Sequence, residues 1–132
     1  MDAIASRSAE IHFGLAWNWE FDHDFVQLLD KCCLHAGVRC YLIGPHNLQQ
    51  TYLEVQNDER RFLWCLDRAS DNDDRFLQFN KLLQSKGTKF INAHHHYQRS
   101  IDKANIHGDL LLRGLQLPLT VILPPAEAEP EI

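Results

Sequence analysis

Apolar residues along the chain fall into short continuous runs, separated by stretches in which they recur every three or four positions. Residues 11–17 (IHFGLAW) form the first run and read as a β-strand. Behind it Phe25, Leu28, Leu29, Cys32 and Ala36 recur at helical spacing, which predicts a helix with one apolar face. Asp22 or Asp24 is placed to cap its start. Gly37 is placed to stop it, because glycine tolerates the left-handed backbone found just past helix ends. Residues 38–43 (VRCYLI) make a second strand, closed by Gly44-Pro45. A helix over 48–59 follows, with Leu48, Tyr52 and Val55 inward, and then a third strand over 62–66 (FLWCL). After the polar loop 67–74, a helix buries Phe76, Phe79, Leu82 and Leu83, stops at Gly87 and leads to a fourth strand, 88–91.

The rhythm then changes. Residues 93–100 read as a short helix, 101–113 as another with Gly114 as its stop, and 119–123 (LTVIL) as a strand after Pro118. Alternating strands and helices of about a dozen residues imply a parallel sheet covered on both faces. The expected fold is therefore α/β: a three-layer α/β/α, Rossmann-like, mainly parallel sheet of four strands, followed by a C-terminal helix and strand. The expected organisation is a polar leader over 1–9, an α/β domain over 10–100, a connecting helix and strand over 101–125, and an acidic tail over 126–132. In parallel sheets ligands gather at the carboxyl ends of the strands. The loops of interest are then 18–22, 44–47, 67–74 and 92–97.

Composition narrows the function classes. At 132 residues the chain has room for one domain, and 45% hydrophobic residues supply its core. The net charge of −5 and the scattered lysines and arginines argue against a nucleic-acid partner, which rewards clustered cations. No apolar run approaches the roughly 20 residues that span a bilayer, and residues 1–10 lack a signal-peptide core. Cys32, Cys33, Cys40 and Cys65 form no CxxC pair and read as reduced thiols, in keeping with a cytoplasmic protein. Glycine-rich dinucleotide and phosphate-loop motifs are absent, as is a GxSxG elbow.

Some side chains stand out beyond the core pattern. The run His94-His95-His96 invites a metal reading, but adjacent side chains diverge, so a solvated loop or helix start is expected and no metal site is assigned. Asn18, Trp19 and Glu20 follow the first strand. They suit a binding surface, with the opposing reading that Trp17 and Trp19 pack under the sheet edge. Asp67 at the end of the third strand stands where phosphorylation-receiver domains keep their phosphoacceptor. The lysine such a domain needs after a fifth strand is missing here.

The most informative stretch is 91–125, INAHHHYQRSIDKANIHGDLLLRGLQLPLTVILPP. Ile91, Asn92, Asp102, Lys103, Leu111, Gly114, Leu115, Pro118 and Thr120 succeed one another in an order that resembles the junction between the N-terminal and central lobes of ATP-grasp enzymes. The likeness is closest to the ribosomal-protein glutamate ligase and glutathione synthetase branch. D-alanine–D-alanine ligases and biotin carboxylase share the skeleton. Asp67-Arg68-Ala69-Ser70 also resembles loops of ATP-grasp proteins, and the resemblance spans roughly residues 10 to 125. It implies an ATP- and Mg²⁺-dependent ligase that activates a small-molecule or peptide carboxylate as an acyl phosphate, which an amine then attacks. Lys103 is then the contact to the ATP phosphates, with His107 a second basic residue one turn on. Asn18, Trp19, Glu20, Arg68, Ser70 and His94 face the substrate. The magnesium ligands and the glycine-rich loop would come from lobes beyond residue 132, so the chain alone is expected not to be catalytic and to bind ATP weakly or not at all. The alternative is a stand-alone, non-catalytic α/β binding module. Under either reading an unpaired strand at 119–123 invites homodimerisation by its edge.

Overall fold

A computed structural model describes residues 9–96 and 102–123. The chain divides into two units, Met1–His94 and His95–Ile132. The first unit holds β1 (Ala9–Trp17), α1 (His23–His35), β2 (Cys40–Ile43), α2 (Leu48–Gln56), β3 (Arg60–Arg68), α3 (Asp74–Ser85) and β4 (Lys89–Phe90). The strands form one four-stranded sheet in the order β2-β1-β3-β4. All pairings are parallel, with Phe13 beside Cys40 and Trp64, and Trp64 beside Lys89. The chain is thus an α/β protein with a Rossmann-like parallel sheet.

Each face of the sheet has its own core. On one face Phe13, Leu15 and Val26 are buried, with Leu29 and Cys33 of α1 packed against them. On the other, Ala16, Ile43 and Cys65 meet Leu48 and Val55 of α2 and Phe76, Phe79 and Leu83 of α3. Gly14 permits that second layer to close. A Cβ there would stand 2.9 Å from the Phe62 ring, inside van der Waals contact.

Local signals set most element ends. Gly37 takes φ of 68° just past α1, a conformation that costs glycine little. Asp73 caps α3 by accepting from the Arg75 amide at 3.0 Å. β3 runs four residues longer than the apolar run at 62–66, two at each end, because β1 supplies hydrogen-bond partners on both sides of that run. α2 ends at Gln56 instead of continuing to residue 59: Asn57 is its cap, and Asp58 follows with φ of 60°.

Two expectations for α1 need correction. Its buried face is Val26, supported by Leu29 and Cys33, and not the arc of Phe25, Leu28 and Cys32, which points to solvent along with Ala36. The helix carries two apolar arcs, and spacing alone does not say which one the sheet takes. Asp22 does occupy the N-cap position, but its side chain makes no cap bond, because the carboxylate is held by Arg68.

In the second unit α4 spans Lys103–Leu112. Asp102 caps it by accepting from the amides of Ala104 (2.9 Å) and Asn105 (3.1 Å). Of the helix expected over 93–100, residue 93 is not helical, 94–96 are, and 97–100 lie outside the described residues. The expected strand at 119–123 is not formed. A strand needs a neighbour to take its amides and carbonyls. None pairs with this segment among the described residues, and Leu119, Val121 and Leu123 are exposed. Residues 1–8, most of the expected leader, and the tail 126–132 lie outside the described residues. Among the described residues no helix is long and apolar enough to cross a membrane.

Candidate functional site

In the order β2-β1-β3-β4 the chain leaves β1 toward one edge of the sheet and leaves β3 toward the other. The two departing loops open a crevice at the carboxyl ends of β1 and β3, the place where such sheets bind ligands. Asn18, Trp19 and Glu20 stand on the β1 side, Arg68 and Ser70 on the β3 side. Two polar clusters form there, both at the end of β3.

The first cluster centres on Arg68. Its Nε and Nη2 donate to the two carboxylate oxygens of Asp22 at 2.8 and 2.7 Å, a bidentate pair. The guanidinium also lies 4.8 Å from the centre of the Phe25 ring. Asp22 is buried and Arg68 part-exposed. Hydrogen bonding to the Asp22 carboxylate holds the Arg68 guanidinium above the ordinary arginine pKa, against the opposing effect of burial. The Arg68 edge bearing Nε is spent on Asp22, which leaves Nη1 as the nitrogen not used in that pair.

The second cluster is a turn locked by Asp67. Its Oδ1 accepts from the amides of Ala69 and Ser70, both at 3.0 Å, and its Oδ2 accepts a very short bond from the Ser70 hydroxyl. The Ser70 oxygen is 3.3 Å from Nδ1 of His94. Asn92 ties the β4 end to the same place, donating to the Asp67 carbonyl at 2.5 Å and accepting from its amide at 3.0 Å. The order is Asp67–Ser70–His94, with serine in the middle. Nucleophilic serine chemistry needs histidine in the middle, so that it can take the hydroxyl proton. Here the Ser70 hydroxyl donates its hydrogen bond to Asp67, with the His94 ring on its other side, so the cluster holds the loop and His94 does not take up the hydroxyl proton. Asp67 likewise has both oxygens engaged, which disfavours the phosphoacceptor reading.

No family model, curated protein or solved structure matches the chain. The site therefore rests on its own geometry.

The remaining candidate residues are placed as follows. Asn18 reaches toward the β3–α3 loop, where its amide helps Arg75 hold the Asp73 carboxyl below the usual range; the Arg75 hydrogen bond is the larger cause. Trp19 is exposed, its ring edge-on to Phe21 at 5.2 Å, and Glu20 is exposed. Lys103 and His107 lie one turn apart on α4 in the second unit. Lys103 is exposed and has no ion-pair or hydrogen-bond partner among the described residues. The His95 and His96 rings lie against each other, tilted by 43° with centres 4.0 Å apart.

The sequence placed Asp22 and Asn92 in loops of interest but did not give their partners, and it missed Phe25 as a member of the site. Asp22 is 46 positions from Arg68, and Asn92 is 25 from Asp67, so no local pattern connects them. The Asp67 turn did carry a signal. An Asp followed three residues later by Ser is a spacing that closes on itself through side-chain-to-amide bonds.

Proposed function

We propose that the chain is the N-terminal lobe of an ATP-dependent carboxylate–amine ligase of the ATP-grasp type, acting through an acyl phosphate. In this reading the crevice at the ends of β1 and β3 forms part of the wall for a carboxylate-bearing substrate, and Lys103 attracts the ATP phosphates. The observation that most supports it is the start of α4. Asp102 spends its carboxylate on the helix amides, so the neighbouring Lys103 ammonium stays exposed and uncommitted among the described residues. An uncommitted lysine in the first helical turn fits a phosphate contact, since the helix N-terminus favours the same anion. ATP supplies the phosphoryl group and Mg²⁺ would neutralise its charge. Among the described residues no three His, Cys, Asp or Glu side chains converge on a common point, so the metal ligands belong to other parts of the enzyme in this reading.

The test begins with the coding sequence downstream of Ile132 and the polypeptide it specifies. That polypeptide should release ADP in a reaction needing both a carboxylate and an amine. Lys103→Ala should raise KM for ATP by about tenfold or more, the loss of one charge-assisted contact. A stop codon directly after Ile132, or a Lys103→Ala enzyme with unchanged KM, would remove the proposal. One observation favours the second reading, a non-catalytic binding module. The polar groups at the end of β3 satisfy one another, Arg68 with Asp22 and Ser70 with Asp67, as a scaffold does.

A further inference from the structure

α1 carries a second apolar stripe that the sheet does not use. Phe21, Phe25, Leu28 and Cys32 follow one another at spacings of four, three and four, which lines them up on one side of the helix and of the 3-10 turn (Glu20–Asp22) before it. Phe21 is 73% exposed, Leu28 63% and Phe25 41%, and Cys32 is exposed. The core-facing arc of Val26, Leu29 and Cys33 lies about 100° away around the helix. Trp19 lengthens the stripe through its ring contact with Phe21. Singly exposed apolar side chains are ordinary on a protein surface, but a contiguous row running about 16 Å along a helix marks an interaction surface.

The charges beside the stripe say what covers it. Asp24 and Lys31, both exposed, stand on the same flank, seven positions apart. The other flank carries Leu29 and Ala36, and the Arg68 guanidinium over the Phe25 ring there is already paired with Asp22. Consider a two-fold axis crossing α1 at Leu28. It lays α1 of a second copy antiparallel on the first and brings like flanks together. Asp24 then faces Lys31 of the second copy, and Lys31 faces Asp24 of the second copy. Leu28 meets its own equivalent, and Phe25 meets Cys32 of the second copy. Apolar and charged pairings share one register to within a residue. A parallel two-fold arrangement would instead set the Asp24 and Lys31 flank against the opposite flank of the second copy, where neither charge meets its complement.

We propose that the chain forms an isologous dimer through the Phe21–Phe25–Leu28–Cys32 face of α1, packed antiparallel on the same face of a second copy. The interface lies in the first unit and does not involve residues 119–123. One helix face is smaller than a standard protein interface, so the dimer is weak and depends on concentration.

Sedimentation equilibrium of the 132-residue chain, from about 10 µM to about 1 mM, should show a mass rising from 15.4 kDa toward twice that value. Leu28→Glu should hold it at the monomer mass with an unchanged unfolding midpoint, because Leu28 is outside the core. Asp24→Lys should weaken association about tenfold, and Asp24→Lys combined with Lys31→Asp should restore it. Leu28→Cys should cross-link covalently in oxidised glutathione, whereas the parent chain, with Cys32 off the axis, should not. A chain that stays monomeric throughout the range overturns the proposal and gives the stripe to another partner. So does a dimer indifferent to Leu28→Glu, or a charge exchange that fails to restore association.

Discussion

Asn80 lies on the α3 face that also buries Phe76, Phe79 and Leu83, and neither atom of its side-chain amide has a hydrogen-bond partner among the described residues. Burying an unpaired amide costs about 1–3 kcal/mol. Asn80→Leu keeps the branched four-atom shape of the side chain and removes that cost, so the variant should be more stable by about 1 kcal/mol, seen as a higher midpoint in urea unfolding. A lower midpoint would mean that the amide is satisfied in solution. The helical spacing that predicts Phe76, Phe79 and Leu83 as core does not reveal Asn80, because a polar residue in an apolar row reads as a surface residue. Asp22 teaches the reverse. Its position marks it as a helix cap, yet Arg68 outcompetes the helix amides for its carboxylate, since a bidentate charged pair is stronger than a single bond to an amide.

Between elements, the join of α2 to β3 carries an ion pair. Arg60 donates from Nε to Glu54 at 2.5 Å and lies over the Tyr41 ring at 4.1 Å. The Arg60 hydrogen bond, with a further one from Gln50, holds the Glu54 carboxyl below the ordinary value despite an opposing desolvation effect. A carboxyl with a lowered folded pKa stays charged to lower pH when folded than when unfolded. Its contribution is therefore complete above the ordinary glutamate value of about 4.3 and is lost as pH falls below that toward the folded value. Glu54→Gln should flatten the acid limb of the stability–pH curve below about pH 4.5 and leave its slope at neutral pH alone. Urea midpoints across that range check this, and an unchanged acid limb would place the acid sensitivity elsewhere. Elements were legible in the sequence wherever a periodic apolar run met a stop signal, as for α3 between Asp73 and Gly87. They were not legible where two solutions had the same periodicity, as for the two arcs of α1. Residues 119–123 have the composition of a strand but no partner among the described residues, and composition alone does not make a ladder.

The four cysteines read out the layering of the whole sheet and its helices. Cys65 is fully buried in the middle of β3, and burial, with the nearby Asp67 charge, pushes its thiol up. The Cys40 thiol is pushed up to about 12, first by burial and then by Cys33 and Asp30. Cys32 is exposed on the side of α1 turned away from the sheet. The thiolate is the reactive species, so a disulfide reagent at about pH 8 should modify Cys32 first. It should reach Cys65 only as fast as the sheet opens, and urea should accelerate Cys65 far more than Cys32. Equal rates for the two in native buffer would contradict the layering.

Taken by itself, the sequence determined the four β-strand runs, the three helices between them, the glycine stops of the first and third helices and the α/β class. Those follow from spacing over a dozen residues, and such signals act locally. It also pointed to the loops at the carboxyl ends of the strands. Only the tertiary structure decided the order β2-β1-β3-β4, and that order sets which loops flank the crevice. It paired Arg68 with Asp22 and set His94 against Ser70, 46 and 24 positions apart in the chain. It also turned Val26, and not Phe25, toward the sheet. Each of these choices depends on which strands lie side by side, and that is settled by burying both sheet faces at once, a condition on the whole fold that no local pattern encodes.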